Sequence, residues 1–136
     1  MDFIYKRKPN YYETDQMGII HHSNYIRWFE EGRMDFLLKM GLPMDKIEDS
    51  GIQIPVVSVE SKYLKTVKIS NTLDIKLNIS YYNGTRLNID YEVFNENGEL
   101  CNIGSSKHCF ITLEGKVVNL RKTLPALHEI FLTNYK

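Results

Sequence analysis

Apolar and polar positions alternate, then lengthen their period, then alternate again along the 136-residue chain, and these changes delimit its elements. Phe3 to Lys8 alternates well enough to be a first strand, which Pro9-Asn10 ends. From Tyr25 the apolar positions fall at Tyr25, Phe29, Gly32, Phe36 and Met40, with Trp28 and Leu37 beside them, the stripe of an amphipathic helix. Ser23 or Asn24 can cap its start, and Gly41 followed by Pro43 stops it. Gly32 within the stripe gives up about 1 kcal/mol of helix propensity relative to Ala, which points to a close approach to a sheet.

Met44 to Gly51 reads as a polar connector, and Ile52 to Ile69 as one long strand with a phase break near Val56-Val57 that suggests a bulge. The next segment alternates almost without error. Leu73, Ile75, Leu77, Ile79 and Tyr81 face one way, and Asp74, Lys76, Asn78 and Ser80 the other. Asn83-Gly84 supplies a strong hairpin turn, after which Leu87, Ile89, Tyr91 and Val93 repeat the alternation. Asn97-Gly98 turns the chain into Leu100 to Leu113, and Glu114-Gly115 turns it again before Val117 to Leu120. Pro125 fits the first turn of a closing helix, with Thr123 able to cap it and Leu127, Ile130 and Phe131 as its apolar face. The pattern predicts one α+β domain over residues 1–136. A long early helix covers one face of a four- or five-stranded antiparallel sheet, a meander at least in its second half.

Composition adds limits. A chain of this size can bury roughly two-thirds of its unfolded surface and needs no covalent staple. Lys+Arg and Asp+Glu are each 17, so no net charge draws the chain to nucleic acid or an anionic membrane. No run of about 18 apolar residues is present, so no membrane span is expected. The opening MDFIYKRKPN interleaves acid and base without an apolar segment and does not read as a signal peptide. The two cysteines, Cys101 and Cys109, lie in one strand-like run at even spacing. That spacing places both on one sheet face but too far apart to bond, which suits free thiols in a reducing, cytoplasmic compartment.

The candidate chemistry gathers in Tyr11 to Pro43. Asp15 sits in a turn that closes with Gly18, just before the helix. Two readings stand: a turn residue whose carboxylate caps local backbone N–H groups, or a general base or nucleophile aimed at an electrophilic carbon ahead of the helix. Gly18 would let the backbone approach a ligand, and the N–H groups around His22 and Ser23 would face its carbonyl oxygen, aided by the partial positive charge of a helix N-terminus. His21 and His22 could be combined with Asp15 and His108 into a metal site. Adjacent histidines at a helix start diverge, however, and neither HExxH nor CxxC occurs, so no metal and no cofactor are expected. His22 reads as a polar lining residue or as packing at the helix start. Glu30, Glu31 and Arg33 read as a solvated helix face on which Glu30 and Arg33 could pair. GxSxG, GxGxxG and GxxxxGK[ST] are absent, which disfavours an elbow-type serine hydrolase and nucleotide-phosphate loops. Lys62, Lys65 and Lys68 form either a wet strand edge or a seat for the phosphates of a carrier.

The stretch YYETDQMGIIHHSNYIRWFEEGRMDFL resembles the signature of the hotdog-fold acyl-CoA thioesterases, the group around 4-hydroxybenzoyl-CoA thioesterase and the enzymes associated with the Tol-Pal system. The matching positions are Asp15, Gly18, Ile19, Ile20, His22, Asn24 and Tyr25, with Glu30 and Arg33 further along. They cover about a quarter of the chain, and VESKYLKTVKISNTLDI resembles later family strands more loosely. The resemblance implies a long central helix wrapped by a single antiparallel sheet, and hydrolysis of acyl-CoA to a free acid and coenzyme A. Asp15 would be the catalytic carboxylate, and the His22 N–H would support the oxyanion while its imidazole lines the site. Gly18, Ser23 and Tyr25 would contact substrate, and Lys62, Lys65 and Arg86 are candidates for the phosphates of coenzyme A. A homodimer joined sheet edge to sheet edge, or a homotetramer, with sites at the subunit interface, is also implied. Some relatives carry an aromatic residue in place of His22, so acyl preference is left open. A hotdog domain that binds acyl-CoA or an acyl carrier protein without cleavage, and a hydratase or dehydratase on the same fold, are the alternatives.

Overall fold

The computed structural model describes residues 3–15 and 17–135. Its elements are β1 (Phe3–Arg7), a 3-10 turn (Tyr11–Glu13), α1 (Ser23–Lys39), α2 (Met44–Asp49), β2 (Ile52–Gln53), β3 (Val56–Tyr63), β4 (Leu73–Tyr82), β5 (Arg86–Phe94), β6 (Leu100–Cys109), β7 (Ile111–Thr112), α3 (Leu120–Thr123) and α4 (Pro125–Tyr135). Five strands form one antiparallel sheet in the order β1-β4-β5-β6-β3, and β2 pairs with β7 in a small second sheet. The meander β4-β5-β6 follows from the Asn-Gly turns, where Gly84 and Gly98 take positive φ.

Helix α1 lies across the inner face. Trp28, Phe29 and Phe36 are fully buried against Leu73, Ile75, Leu77, Tyr91 and Val93. Two glycines set the distance between the layers. A Cβ on Gly32 would lie 3.1 Å from Leu77 Cδ1, and one on Gly104 in β6 would lie 2.6 Å from Phe29 Cζ and 2.8 Å from the Glu60 carbonyl oxygen. Phe29 stacks on Tyr91 with ring centroids 4.3 Å apart. At the far end of the sheet, α3 and α4 close the core with Leu120, Leu127 and Phe131 against Tyr82 and Phe110.

Several sequence expectations are corrected. Residues 44–49 form a helix rather than a connector; with six residues and one buried side chain, Ile47, it is too short to show a period. The expected strand from Ile52 to Ile69 is divided, since β2 is Ile52–Gln53 and β3 ends at Tyr63, while the register shift between Val56 and Ser58 is the bulge that the phase break near Val56-Val57 predicts. A shift between Ile79 and Tyr81 turns Tyr81 outward and Tyr82 into the core, reversing the end of the predicted alternation. Another between Val93 and Phe94 sets Cys101 off the ladder, so Cys101 is fully buried while Cys109 is half-buried beside Arg86 on the outer face. Their even spacing therefore does not place them alike. Val117 makes a single bridge to Ile111, and Leu120 already belongs to α3.

Candidate active site

The loop between β1 and α1 is held from both ends. Pro9 ends the strand, and the 3-10 turn carries Glu13 inward, where only 3% of it is exposed. Its carboxylate accepts from the Asn10 N–H (2.6 Å), Trp28 Nε1 (2.8 Å) and the Arg7 guanidinium (2.8 Å), while Arg7 also pairs with Glu31 (2.7 Å). A buried charge is tolerated in this way when each oxygen has donors. Beyond it Thr14 bridges Ile20, the Asp15 N–H donates to the Ile19 carbonyl (2.8 Å) and the Gly18 N–H to the Asp15 carbonyl (3.1 Å), with Gly18 at φ +74. The Ile20 N–H donates to the Val67 carbonyl (2.9 Å), which fastens the loop to the segment after β3.

Asp15 is exposed at the tip of this loop. Its Oδ1 accepts from the N–H groups of Met17 (2.8 Å) and Ile19 (3.2 Å). Among the described residues these are the carboxylate's hydrogen bonds, and both fall on one oxygen. The turn-cap role is therefore present, and it orients the group rather than consuming it. Asp15 lines a cleft of about 300 Å³ with Ile19, Ile20, His21, His22, Tyr25, Tyr63, Leu64, Lys65 and Thr66.

The start of α1 lines the same cleft. His22, at φ −56 and ψ −30, is the capping residue but offers no side-chain cap, so neither Ser23 nor Asn24 fills that position. Ser23 is the first helical residue and its N–H donates to His21 Nδ1 (3.3 Å), while Asn24 is buried and donates to the carbonyls of Glu13 (2.9 Å) and His21 (3.3 Å). The His21 and His22 N–H groups lie outside the helical ladder; His21 donates to the Glu13 carbonyl (2.9 Å), and the His22 N–H has no partner among the described residues. Tyr63 OH donates to the His22 carbonyl (3.2 Å), and its ring meets Tyr25 edge-on at 5.3 Å. Burial pushes the Tyr25 phenol up to about 12, with smaller contributions from Cys101 and Tyr63, so at neutral pH this group is not a base.

The fold thus brings Asp15, His22, Tyr25 and Lys65 into one cleft, with Gly18 in the same turn and Ser23 in the adjoining helical turn. Lys65 is exposed and pairs with Glu99. Lys62 and Arg86 are elsewhere in this protomer. Lys62 points from β3 onto the outer sheet face beside Glu60, Asp90 and Glu92, and Arg86 lines an outer cavity with Asn88, Lys107 and Cys109. Tyr63 and Glu13 were not singled out from sequence; the acid in ETD three residues after Asn10 was the available sign of a capping box.

A second, mostly apolar cavity of about 280 Å³ lies between α1, α2 and the Ile54–Val56 segment, where Met34, Leu37, Met44 and Ile47 meet Glu30, Arg33 and His108. Arg33 does not pair with Glu30. It donates to Tyr91 OH (3.1 Å), followed by Ser106 Oγ (2.6 Å from Tyr91 OH), His108 Nε2 (2.7 Å from Ser106) and, from His108 Nδ1, the Pro55 carbonyl (3.2 Å). Because that carbonyl can only accept, Nδ1 carries the proton and Nε2 accepts from Ser106. Burial, with the Arg33 charge second, lowers the His108 pKa from 6.5 to about 4 and keeps it neutral. His108 is thereby occupied away from the histidine pair. No helix among the described residues is long and apolar enough to cross a membrane.

Known proteins share this fold. A crystal structure of a DHNA-CoA thioesterase from Staphylococcus aureus superposes with a TM-score of 0.91 at 33% identity, over 97% of this chain and 89% of that one. A Bacillus subtilis (strain 168) protein assigned as an acyl-CoA thioesterase is 34% identical over 122 residues, 89% of this chain and 88% of its own. The crystal structure of a 4-hydroxybenzoyl-CoA thioesterase variant, at 19% identity and a TM-score of 0.82 over 95% of this chain and 97% of that one, shares the fold. Residues 9–129 match the thioesterase-like superfamily, and the chain belongs to it as a thioesterase of hotdog fold.

Proposed function

We propose that this thioesterase hydrolyses acyl-CoA thioesters to a carboxylic acid and coenzyme A, with Asp15 acting at the thioester carbonyl and the His22 N–H supporting the oxyanion. The observation that carries this reading is that Asp15 and the start of α1 line one cleft. Oδ1 is held by two backbone donors, which leaves Oδ2 to attack the carbonyl carbon or to take a proton from an attacking water. The carbonyl oxygen, gaining charge, meets an N–H at the positive end of a 17-residue helix. The tetrahedral species collapses by expelling the coenzyme A thiolate, which takes up a proton; with water as nucleophile this leaves the free acid, and with Oδ2 as nucleophile it leaves an acyl–Asp15 anhydride that water then hydrolyses to the acid and the restored carboxylate. The names borne by the Staphylococcus aureus and Bacillus subtilis relatives support this substrate class.

A second copy completes the site in this reading. β3 is a sheet edge, and Val56, Val57, Tyr63 and Leu64 are exposed along it and just beyond. An unpaired apolar edge favours addition of another strand. Antiparallel pairing of β3 with β3 of another copy reverses its ends. The Asp15 cleft at the Tyr63 end then meets the other copy's 280 Å³ cavity at the Val56 end, which would receive the acyl group. The outer cavity with Arg86 and Lys107 also borders Val57. Arg86 of the second copy and Lys65 would therefore take the phosphates, with Lys62 further along the outer face. A homodimer is the minimal unit, and outer-face pairing would give a homotetramer.

The turn-capping bonds of Asp15 favour one other reading, an acyl-CoA-binding domain without turnover. Asp15→Asn separates the two. The amide oxygen still accepts from Met17 and Ile19, so the turn persists while the charge is lost. Release of free thiol from a panel of short, long and aromatic acyl-CoAs is expected for the wild type, with turnover lowered by about 10²–10⁴-fold in the variant at nearly unchanged melting temperature. A wild type that binds but releases no thiol from any of them refutes hydrolysis.

A further inference from the structure

Among the polar groups outside the cleft, one is tied to both of its walls. We infer that Glu13 is a positioning residue that sets the distance between the Asp15 carboxylate and the His22 N–H, an inference that rests on the function proposed above. Its carboxylate fixes the base of the loop to three elements at once: to β1 through Arg7 (2.8 Å), to the turn through the Asn10 N–H (2.6 Å) and to α1 through Trp28 Nε1 (2.8 Å). Its carbonyl oxygen receives the His21 N–H and Asn24 Nδ2, each at 2.9 Å, and these residues stand on either side of the segment that presents His22 and Ser23. Asp15 lies two residues beyond Glu13 on the other branch, and the Thr14–Ile20 bridge joins the branches. Movement of Glu13 therefore displaces Asp15 and the α1 start relative to each other, although Glu13 does not line the cleft.

The chemistry of the side chain is specific. Oε1 accepts from a backbone N–H, and Oε2 accepts from an indole and a guanidinium, so both oxygens must be acceptors. In Glu13→Gln the amide NH₂ faces a donor on one side or the other, and the loop shifts to separate them. A shift of about 1 Å costs on the order of 10²-fold where attacking and receiving groups must align.

The test uses full-length wild type, Glu13→Gln, Asp15→Asn and the double variant, each shown to be folded by its thermal unfolding. Thiol release is measured with the acyl-CoA that the wild type turns over best. The expected result is a fall in kcat of about 10–100-fold for Glu13→Gln with KM changed less than about threefold, and a double variant no slower than Asp15→Asn alone. A loss of folded protein would lower single and double variants by the same factor, whereas action through Asp15 would not. Asn24→Ala, which removes one donor to the Glu13 carbonyl, should show the same pattern more weakly; it carries the comparison if Glu13→Gln does not fold. A wild-type kcat in these variants, or a double variant slower than Asp15→Asn by the full Glu13→Gln factor, overturns the inference while leaving hydrolysis in place. A wild type inactive on every acyl-CoA overturns both.

Discussion

Replacing Gly104 with alanine tests how closely α1 must approach the sheet. The added methyl would lie 2.6 Å from Phe29 Cζ and 2.8 Å from the Glu60 carbonyl oxygen. The ring stacks on Tyr91, the β5 register partner of Gly104, and Glu60 belongs to β3, whose Ser61 is the partner of Gly104 on the other side, so neither neighbour can turn aside without moving a strand or the helix. Overpacking of this kind costs about 1–3 kcal/mol. Loss of glycine freedom in the unfolded chain returns about 0.4–1 kcal/mol. A net loss of about 1–2 kcal/mol is expected, a fall of about 3–8 °C in Tm for a domain of this length. Gly32→Ala is the internal control. There the new methyl meets Leu77 methyls at 3.1 and 3.3 Å, which a flexible side chain can yield, and the helix gains up to about 1 kcal/mol of propensity. That variant should stay within about 0.5 kcal/mol of wild type. Urea unfolding at fixed protein concentration measures both, since association would make Tm concentration-dependent. In a double-mutant cycle with Phe29→Leu, removal of the ring should recover part of the Gly104→Ala loss. Equal losses at Gly32 and Gly104, or strict additivity with Phe29→Leu, would refute this account of the packing.

Two further outcomes follow from the buried network and the free edge. His108 titrates in the unfolded chain near 6.5 but in the folded one near 4, so the unfolded state binds the proton first as pH falls. Its contribution is complete above 6.5 and is lost between 6.5 and about 4, on the order of 3 kcal/mol in all; urea unfolding at several pH values should show a shallower acid decline for His108→Gln, and an unchanged slope counts against the assignment. Val57 on β3 is 65% exposed, so Val57→Asp should leave the protomer folded while lowering the mass in light scattering and the thiol-release rate together; a wild-type mass would exclude the β3 edge from the interface.

Local chemistry determined a large part of this protein. Asn83-Gly84 and Asn97-Gly98 demand positive-φ turns, and the two-residue period between them leaves one apolar sheet face, so the meander and the helix that covers it were legible residue by residue. The stripe through Tyr25, Phe29, Gly32 and Phe36 identified that helix, and the Asp15–Gly18 turn before it pointed to the cleft proposed as the site. Register was legible at one place, the phase break near Val56-Val57 that marked the bulge in β3. The shifts beside Tyr81 and Phe94 depend on how twisted strands meet their neighbours, and they exchanged Tyr81 for Tyr82 and separated Cys101 from Cys109. Long-range pairing was equally hidden. Arg33 looked like a solvated charge until Tyr91, 58 positions away, received it, and nothing in its neighbours marked Glu13 as the acceptor on which Trp28 and Arg7 close. Lys62 and Lys65 are three positions apart in sequence, yet the end of β3 between them sends one to the outer face and the other to the cleft. Periodicity and turn chemistry are encoded within a few neighbouring residues, whereas a cleft is assembled from groups whose proximity exists only once the layers have packed.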